Sequence, residues 1–396
     1  MQLSKTCEGI QSSVTLAIDA KAKAMRAEGK DVVSFGAGEP DFATPAYIVD
    51  AAIAALRDGQ TKYTAAAGMP QLRQAICAFT KKNIGVEYTF DQVVVSNGAK
   101  QALFNALQAV CNPGDEVLLF APYWVSYPEL IKMAGAKPVF VPTVEEEGFA
   151  IDFTALENAV TEHTKAIILN SPSNPSGAVL SEKEVRMIAA LAIKKDFIII
   201  SDEIYDALVY DGAKHFSPAS IPEARDRVIL INGMSKAYAM TGWRMGYSIS
   251  NPTIAKMIGS YQSHATGNPN TVAQYSTLAA ITSENPEFSA MLEEFRRRRN
   301  YMVETVNAIE GLHAQMPAGA FYVMVCIKDT IGREYNGKKI SGSMDFAEYL
   351  LDAQMTAVVP GLPFGADGYI RLSYATSMET IQKGLKRIRD FVKGLK

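Results

Sequence analysis

Long apolar runs, paired cysteines, an excess of one charge and low-complexity tracts are all missing from this 396-residue chain. Each absence closes off a class of protein. No stretch approaches the roughly 20 apolar residues that a membrane-spanning helix needs. Lys and Arg (39) nearly balance Asp and Glu (42), and a net charge of −3 leaves no electrostatic footprint for nucleic acid or an anionic membrane. The four cysteines, Cys7, Cys77, Cys111 and Cys326, are scattered without the paired spacing of a metal site. No metal is therefore expected, and buried free thiols in a reducing compartment are the simpler reading. Residues 1–8 lack a hydrophobic signal core, which predicts a cytoplasmic protein. What is present is ordinary for a globular chain, 48% hydrophobic and 20% charged, with enough length for a large core in two lobes.

Apolar runs of strand length alternate with helical periodicity. Over the first 30 residues Ala17, Ala20, Ala24 and Ala27 recur at three- and four-residue steps, and Gly29 would end that helix. Val32-Val33-Ser34-Phe35 reads as a short strand. It is broken by Gly36-Ala37-Gly38-Glu39-Pro40-Asp41-Phe42, either a plain turn or one whose backbone faces a ligand. Helices are predicted over 45–58 and 69–82, joined by a loop of small residues that carries an exposed-looking Tyr63. Strands are predicted at 92–96, 115–120, 165–170, 197–202 and 227–232. Together these elements predict a mostly parallel, doubly wound sheet from about 45 to 285. A long helix beyond Pro286 carries Arg296-Arg297-Arg298-Arg299, read as a solvated or lobe-bridging face. Strands at 319–325 and 369–374 belong to the second lobe.

Open α/β sheets place their ligands at the carboxyl ends of strands, so those ends are where chemistry is sought. Ser96-Asn97-Gly98-Ala99-Lys100 leads from strand into helix and leaves free amides for an anion such as phosphate. Pro122-Tyr123-Trp124 puts an aromatic pair at a strand end, to stack on a flat ring or simply to fill the core. Ser171-Pro172-Ser173-Asn174-Pro175 is a rigid turn that fixes Asn174. The most continuous apolar strand ends in Asp202, with Tyr205 three residues on, and a carboxylate there is costly unless a cation pairs with it. The run 227–232 delivers Lys236, where desolvation would favour the neutral, nucleophilic amine, and Arg244 follows. Arg371, between apolar neighbours in a strand, wants a bidentate anion, either a structural carboxylate or a substrate. Gly332-Arg333-Glu334-Tyr335-Asn336-Gly337-Lys338-Lys339 mimics a nucleotide-binding loop. It ends in Lys where Ser or Thr should hold magnesium, and it lacks the strand–helix context.

An amide cradle, a stacking ring, a donor, a buried anion and a reactive lysine are together what pyridoxal phosphate requires. The chain resembles the fold type I pyridoxal-phosphate enzymes, specifically the class I aminotransferases, and most of all their bacterial aspartate aminotransferase branch. Gly38-Glu39-Pro40-Asp41-Phe42, Lys62-Tyr63, Pro122-Tyr123-Trp124, Asn174-Pro175-Ser176-Gly177, Ser201-Asp202-Glu203-Ile204-Tyr205, Ser235-Lys236 through Arg244, and Arg371-Leu372-Ser373 appear in the expected order. The resemblance implies a large domain (43–285) with a mostly parallel seven-stranded sheet flanked by helices. A small α/β domain (286–396) would be joined by an N-terminal segment (1–42). It also implies that Lys236 binds the cofactor covalently and, once released, serves as the base that moves the substrate Cα proton. Asp202 would keep the pyridine nitrogen protonated. Asn174 and Tyr205 would donate to the phenolate oxygen, and Trp124 would stack on the ring. Gly98, Ala99, Lys100 and Arg244 would hold the phosphate, with Tyr63 reaching the phosphate of a neighbouring subunit in a homodimer of shared sites. Arg371, aided by the Gly38 backbone and lined by Trp124 and Asn174, would clamp the substrate α-carboxylate.

The implied reaction passes an amino group from an L-amino acid to a 2-oxo acid in ping-pong order. Aspartate and glutamate are the expected donors. Two departures stand out. Many relatives carry a phosphate-binding Ser where this chain has Gly233. No second arginine for a distal carboxylate can be matched, and Lys100 with Ser13 and Thr15 resembles the substitute. An aromatic, alanine or kynurenine-type aminotransferase, a β-lyase, or a regulator that has lost catalysis would share the same cofactor machinery.

Overall fold

The computed structural model describes residues 3–12 and 14–396. Strands are numbered in chain order: β1 (Val93–Ser96), β2 (Glu116–Phe120), β3 (Lys137–Val141), β4 (Thr164–Asn170), β5 (Ile198–Asp202), β6 (Val228–Gly233) and β7 (Gly246–Ile249). They form one seven-stranded sheet in the order β1-β7-β6-β5-β4-β2-β3. The β2–β3, β2–β4, β4–β5 and β5–β6 pairs are parallel, and β7 runs antiparallel between β6 and β1.

Alternate residues of each strand face opposite sides, so two cores form. Val93, Val95, Leu118, Ile167, Leu169, Ile199 and Leu230 pack beneath one layer of helices. Val94, Val117, Leu119, Ile168, Ile200, Ile229 and Ile231 pack beneath the other. Burial on both faces explains why these strands read as continuous apolar runs.

A smaller four-stranded antiparallel sheet, β8 (His313–Ala314), β9 (Tyr322–Cys326), β10 (Val359–Pro360) and β11 (Tyr369–Ser373), has the order β8-β9-β11-β10. Helices Pro286–Asn307, Ser343–Gln354 and Met378–Lys393 share its apolar core, through Phe295, Phe346 and Leu385 among others. The amino-terminal segment joins this layer. Val33–Ser34 pairs in parallel with Thr356–Ala357, and Phe35 exchanges backbone hydrogen bonds with Ala357 and Ser373.

The four consecutive arginines divide. Arg296 and Arg297 pair with Glu293 and Glu294 on the exposed face. Arg298 and Arg299 are buried and bridge: Arg298 to Asp41, Arg299 to Asp211 and to the Pro317 carbonyl. Helical periodicity turns adjacent residues by about 100°, so one charged run serves both faces. The nucleotide-loop mimic forms a hairpin, Glu334–Tyr335 against Lys338–Lys339, with no helix at its end. No helix among the described residues is long and apolar enough to cross a membrane.

Candidate active site

Five strand ends of the large sheet and one strand of the small sheet converge. β6 ends at Gly233 and delivers Lys236, whose Nζ donates to the Gly38 carbonyl at 2.5 Å. The same Nζ stands 5.7 Å from the ring centres of Tyr205 and Phe321. Enclosure by protein pushes its pKa down to about 8. Glu39 works against that shift, Arg244 and Arg371 add to it, and Asp202 opposes it.

Asp202, at the end of β5, is buried. Oδ2 accepts from the Tyr127 hydroxyl at 2.7 Å and Oδ1 from the Ile204 amide at 3.3 Å. Burial pushes this carboxyl up to about 6, with Tyr127 and the Ile204 amide holding it down, Glu203 raising it and Lys236 lowering it. The expected cation partner is not what satisfies it. Among the described residues Asp202 has no ion pair, and a phenol and a backbone N–H do the work. One turn away, the Tyr205 hydroxyl meets the Tyr322 hydroxyl at 3.1 Å.

At the end of β1, helix Ala99–Val110 begins with its first amides free of helical partners. The Arg244 guanidinium lies against Gly98, donating to the Thr241 carbonyl at 2.9 Å and the Asn97 carbonyl at 3.4 Å. Gly246, the first residue of β7, packs so tightly here that a Cβ would lie 2.3 Å from the Ala99 nitrogen. Gly233 is as confined: a Cβ would meet the Met245 carbonyl at 2.7 Å. A serine there would force the Met245–Gly246 backbone to move.

Trp124 packs edge-on against Tyr127 at 5.2 Å and carries the Lys100 ammonium 4.9 Å from its ring centre. Burial and nearby Arg244 both push the Lys100 pKa down. Asn174 is fixed through its amide, which donates to Asn170 Oδ1 at 2.8 Å, and Asn170 in turn donates to the Asp202 carbonyl at 3.1 Å.

Arg371, from β11 of the small sheet, is 2% exposed. It donates to Asn174 Oδ1 at 2.9 Å and the Gly36 carbonyl at 3.1 Å, and lies 4.3 Å from the Tyr322 ring centre. Its Nε has no partner, and among the described residues no carboxylate pairs with it.

The fold therefore brings Lys236, Asp202, Tyr205, Asn174, Arg244, Gly98, Trp124, Lys100, Gly38 and Arg371 to one cleft. Tyr63 stands apart, 97% exposed and without a hydrogen bond or ring contact among the described residues. Thr15 is the second residue of the helix Val14–Ala27, and Ser13 lies outside the described residues. Tyr127, Tyr322 and Asn170 were not singled out from the sequence. Tyr127 carries a signal, being three residues past Trp124 on the first turn of a helix. Tyr322 and Asn170 carry none, since each looks like an ordinary strand residue.

These features fit one cofactor: free amides with an arginine for a dianion, a flat ring wall, a buried carboxylate lacking a cation, and a neutralisable lysine. The family model for aminotransferase class I and II matches residues 30–388. The chain belongs to that family and is a pyridoxal-phosphate-dependent transaminase of fold type I. It is 41% identical to the aspartate aminotransferase of Bacillus subtilis, over 99% of both chains. It is 42% identical to the aspartate/prephenate aminotransferase of Nitrosomonas europaea, over 99% of this chain and 100% of the other. Among solved structures, the aspartate aminotransferase of Rhizobium meliloti superimposes with a TM-score of 0.96 at 39% identity, covering all of both chains. That of Thermus thermophilus with maleate gives 0.93 at 42%, again over all of both.

Proposed function

We propose that this transaminase uses aspartate and glutamate as donors and 2-oxo acids such as 2-oxoglutarate as acceptors. The observation that carries an amino-acid substrate is Arg371, a buried guanidinium with an unpartnered Nε and, among the described residues, no carboxylate of its own. A cation so placed is complemented by an α-carboxylate. Lys100, over Trp124 and without a carboxylate partner among the described residues, is the proposed contact for the distal carboxylate. Names of relatives support the donor, being aspartate or aspartate/prephenate aminotransferases.

When bound, pyridoxal phosphate supplies an aldehyde that takes up amino groups and a ring that withdraws electrons from the substrate Cα. The Ala99 and Lys100 amides with Arg244 would hold its phosphate, Trp124 would line its ring, and Asn174 and Tyr205 would donate to its phenolate. Asp202 would hold a proton at the ring nitrogen. Lys236 would attach it and, when free, would take the Cα proton and return it. An amine already pushed down to about 8 suits that task near neutral pH. The Gly38 carbonyl, which accepts from Lys236 Nζ, steers the amine when it is not attached.

We assign the cofactor to residues 43–285, and the domain-closing elements to 1–42 and 286–396. The proposed assembly is a homodimer in which Tyr63, unpartnered in its own chain, reaches the neighbouring phosphate. Four free cysteines suit a cytoplasmic setting.

The test is a donor panel with 2-oxoglutarate as acceptor, and borohydride reduction followed by peptide mapping. Glutamate and oxaloacetate formed from aspartate, with a pyridoxyl label on Lys236, carry the reading. Turnover of phenylalanine or alanine but not aspartate overturns the donor assignment, and release of ammonia and pyruvate makes the enzyme a lyase. Lys100→Ala should lower activity on aspartate roughly tenfold relative to phenylalanine. An unchanged ratio removes Lys100 from the distal site.

A further inference from the structure

We propose that Tyr127 is a positioning residue whose hydroxyl sets how the proton is divided between Asp202 and the nitrogen of the cofactor ring. The proposal rests on the cofactor assignment above and adds a residue to it.

Tyr127 lies on helix Ser126–Met133 and is buried. Three contacts set it apart from a packing residue. Its hydroxyl donates to Asp202 Oδ2 at 2.7 Å, a distance typical of O–H donation to a carboxylate. Its ring stands edge-on to Trp124, with centres 5.2 Å apart and planes at 85°. Its amide donates to the Trp124 carbonyl at 2.9 Å. One side chain thus holds both the carboxylate and the indole that would bracket the ring.

The other carboxylate oxygen, Oδ1, has only a long 3.3 Å contact to the Ile204 amide, which leaves acceptor capacity for a ring N–H. Burial and the adjacent carboxylate push the Tyr127 pKa well above its usual value, so the phenol remains a donor across the working range.

The energetic consequence has a definite sign. A donor on Oδ2 favours the ionised carboxylate and makes it a weaker base. The shared proton is thereby held on the ring nitrogen, the state that withdraws electrons from the substrate Cα. Removing the hydroxyl strengthens the carboxylate as a base and draws the proton toward it.

Tyr127→Phe keeps the ring and deletes only the donor. With pyridoxal phosphate labelled with nitrogen-15 in its ring, the variant should show a ring-nitrogen resonance moved toward the unprotonated value. Its cofactor dissociation constant should rise roughly tenfold, the scale of one hydrogen bond to a charged group. Incorporating 3-fluorotyrosine at position 127 keeps the packing and strengthens the donor, so it should move the resonance the opposite way. This second protein keeps the question answerable if Tyr127→Phe does not fold. An unmoved resonance in both overturns the proposal and leaves Tyr127 a packing residue. A wild-type protein that takes no pyridoxyl label at Lys236 overturns the cofactor assignment itself, an outcome distinct from the first.

Discussion

Among the described residues the small-sheet region buries three arginines, Arg298, Arg299 and Arg371, and the two deepest, Arg299 and Arg371, are finished differently. Arg299, 1% exposed, is saturated by its own chain. It pairs with Asp211, donates to Asn300 Oδ1 and to the Pro317 carbonyl, and lies 4.7 Å from the Tyr210 ring centre. Arg371 is as deeply buried, but among the described residues it meets only neutral oxygens, to which it donates, and aromatic faces, with one N–H unmatched. Burying a charge costs several kcal/mol unless an opposite charge repays it. The protein repays it at Arg299. On the proposed function the repayment at Arg371 comes from the substrate carboxylate, which would set a binding arginine apart from a structural one of the same exposure.

Substitution separates the two most sharply. Arg371→Met should lower kcat/KM for aspartate by roughly 100- to 1000-fold, from loss of a bidentate charged contact. Its unfolding midpoint without substrate should stay level or rise, because an uncompensated buried cation has gone. Arg299→Met should do the reverse. Stability should fall by about 2–3 kcal/mol in denaturant titration, below the usual cost of a broken buried pair because Asp211 is half exposed. The kcat/KM should stay within about threefold of wild type. Equal effects of the two substitutions on both measurements would erase the distinction.

Lys236 extends the comparison to pH. Burial lowers its pKa to about 8, and on the proposed function its neutral amine would be the nucleophile toward the cofactor aldehyde. The rate of cofactor uptake by the cofactor-free protein should therefore climb about tenfold per pH unit below 8 and level off above it. A climb that continues toward 10.5, the value of an ordinary lysine, would show the amine to be unperturbed.

Much of the fold was legible because both sheet faces are covered, so strands such as Ile198–Asp202 are apolar throughout. The strand ends followed from where the apolar runs stop, and Lys236, Asp202, Asn174 and Gly98 all lie at or just past such stops. What stayed hidden depends on contacts between distant segments. Asp202 demanded a partner, but that a phenol 75 residues earlier would supply it is a matter of helix placement. Nothing local distinguishes Arg299 from Arg297, since the faces of a helix acquire meaning only when the helix packs. The confinement of Gly233 likewise comes from β7, whose antiparallel return brings Met245 and Gly246 against it.

The amino-terminal segment ties the earliest residues to the latest. Val33–Ser34 lies beside Thr356–Ala357, the Gly36 carbonyl holds Arg371, and the Gly38 carbonyl holds the reactive amine. On the ribosome, residues 33–36 wait for more than three hundred others before their neighbours exist, and Gly38 waits for 198. The seven-stranded sheet is complete by residue 249, so a nascent chain has its scaffold more than a hundred residues before Arg371 arrives to close the cleft.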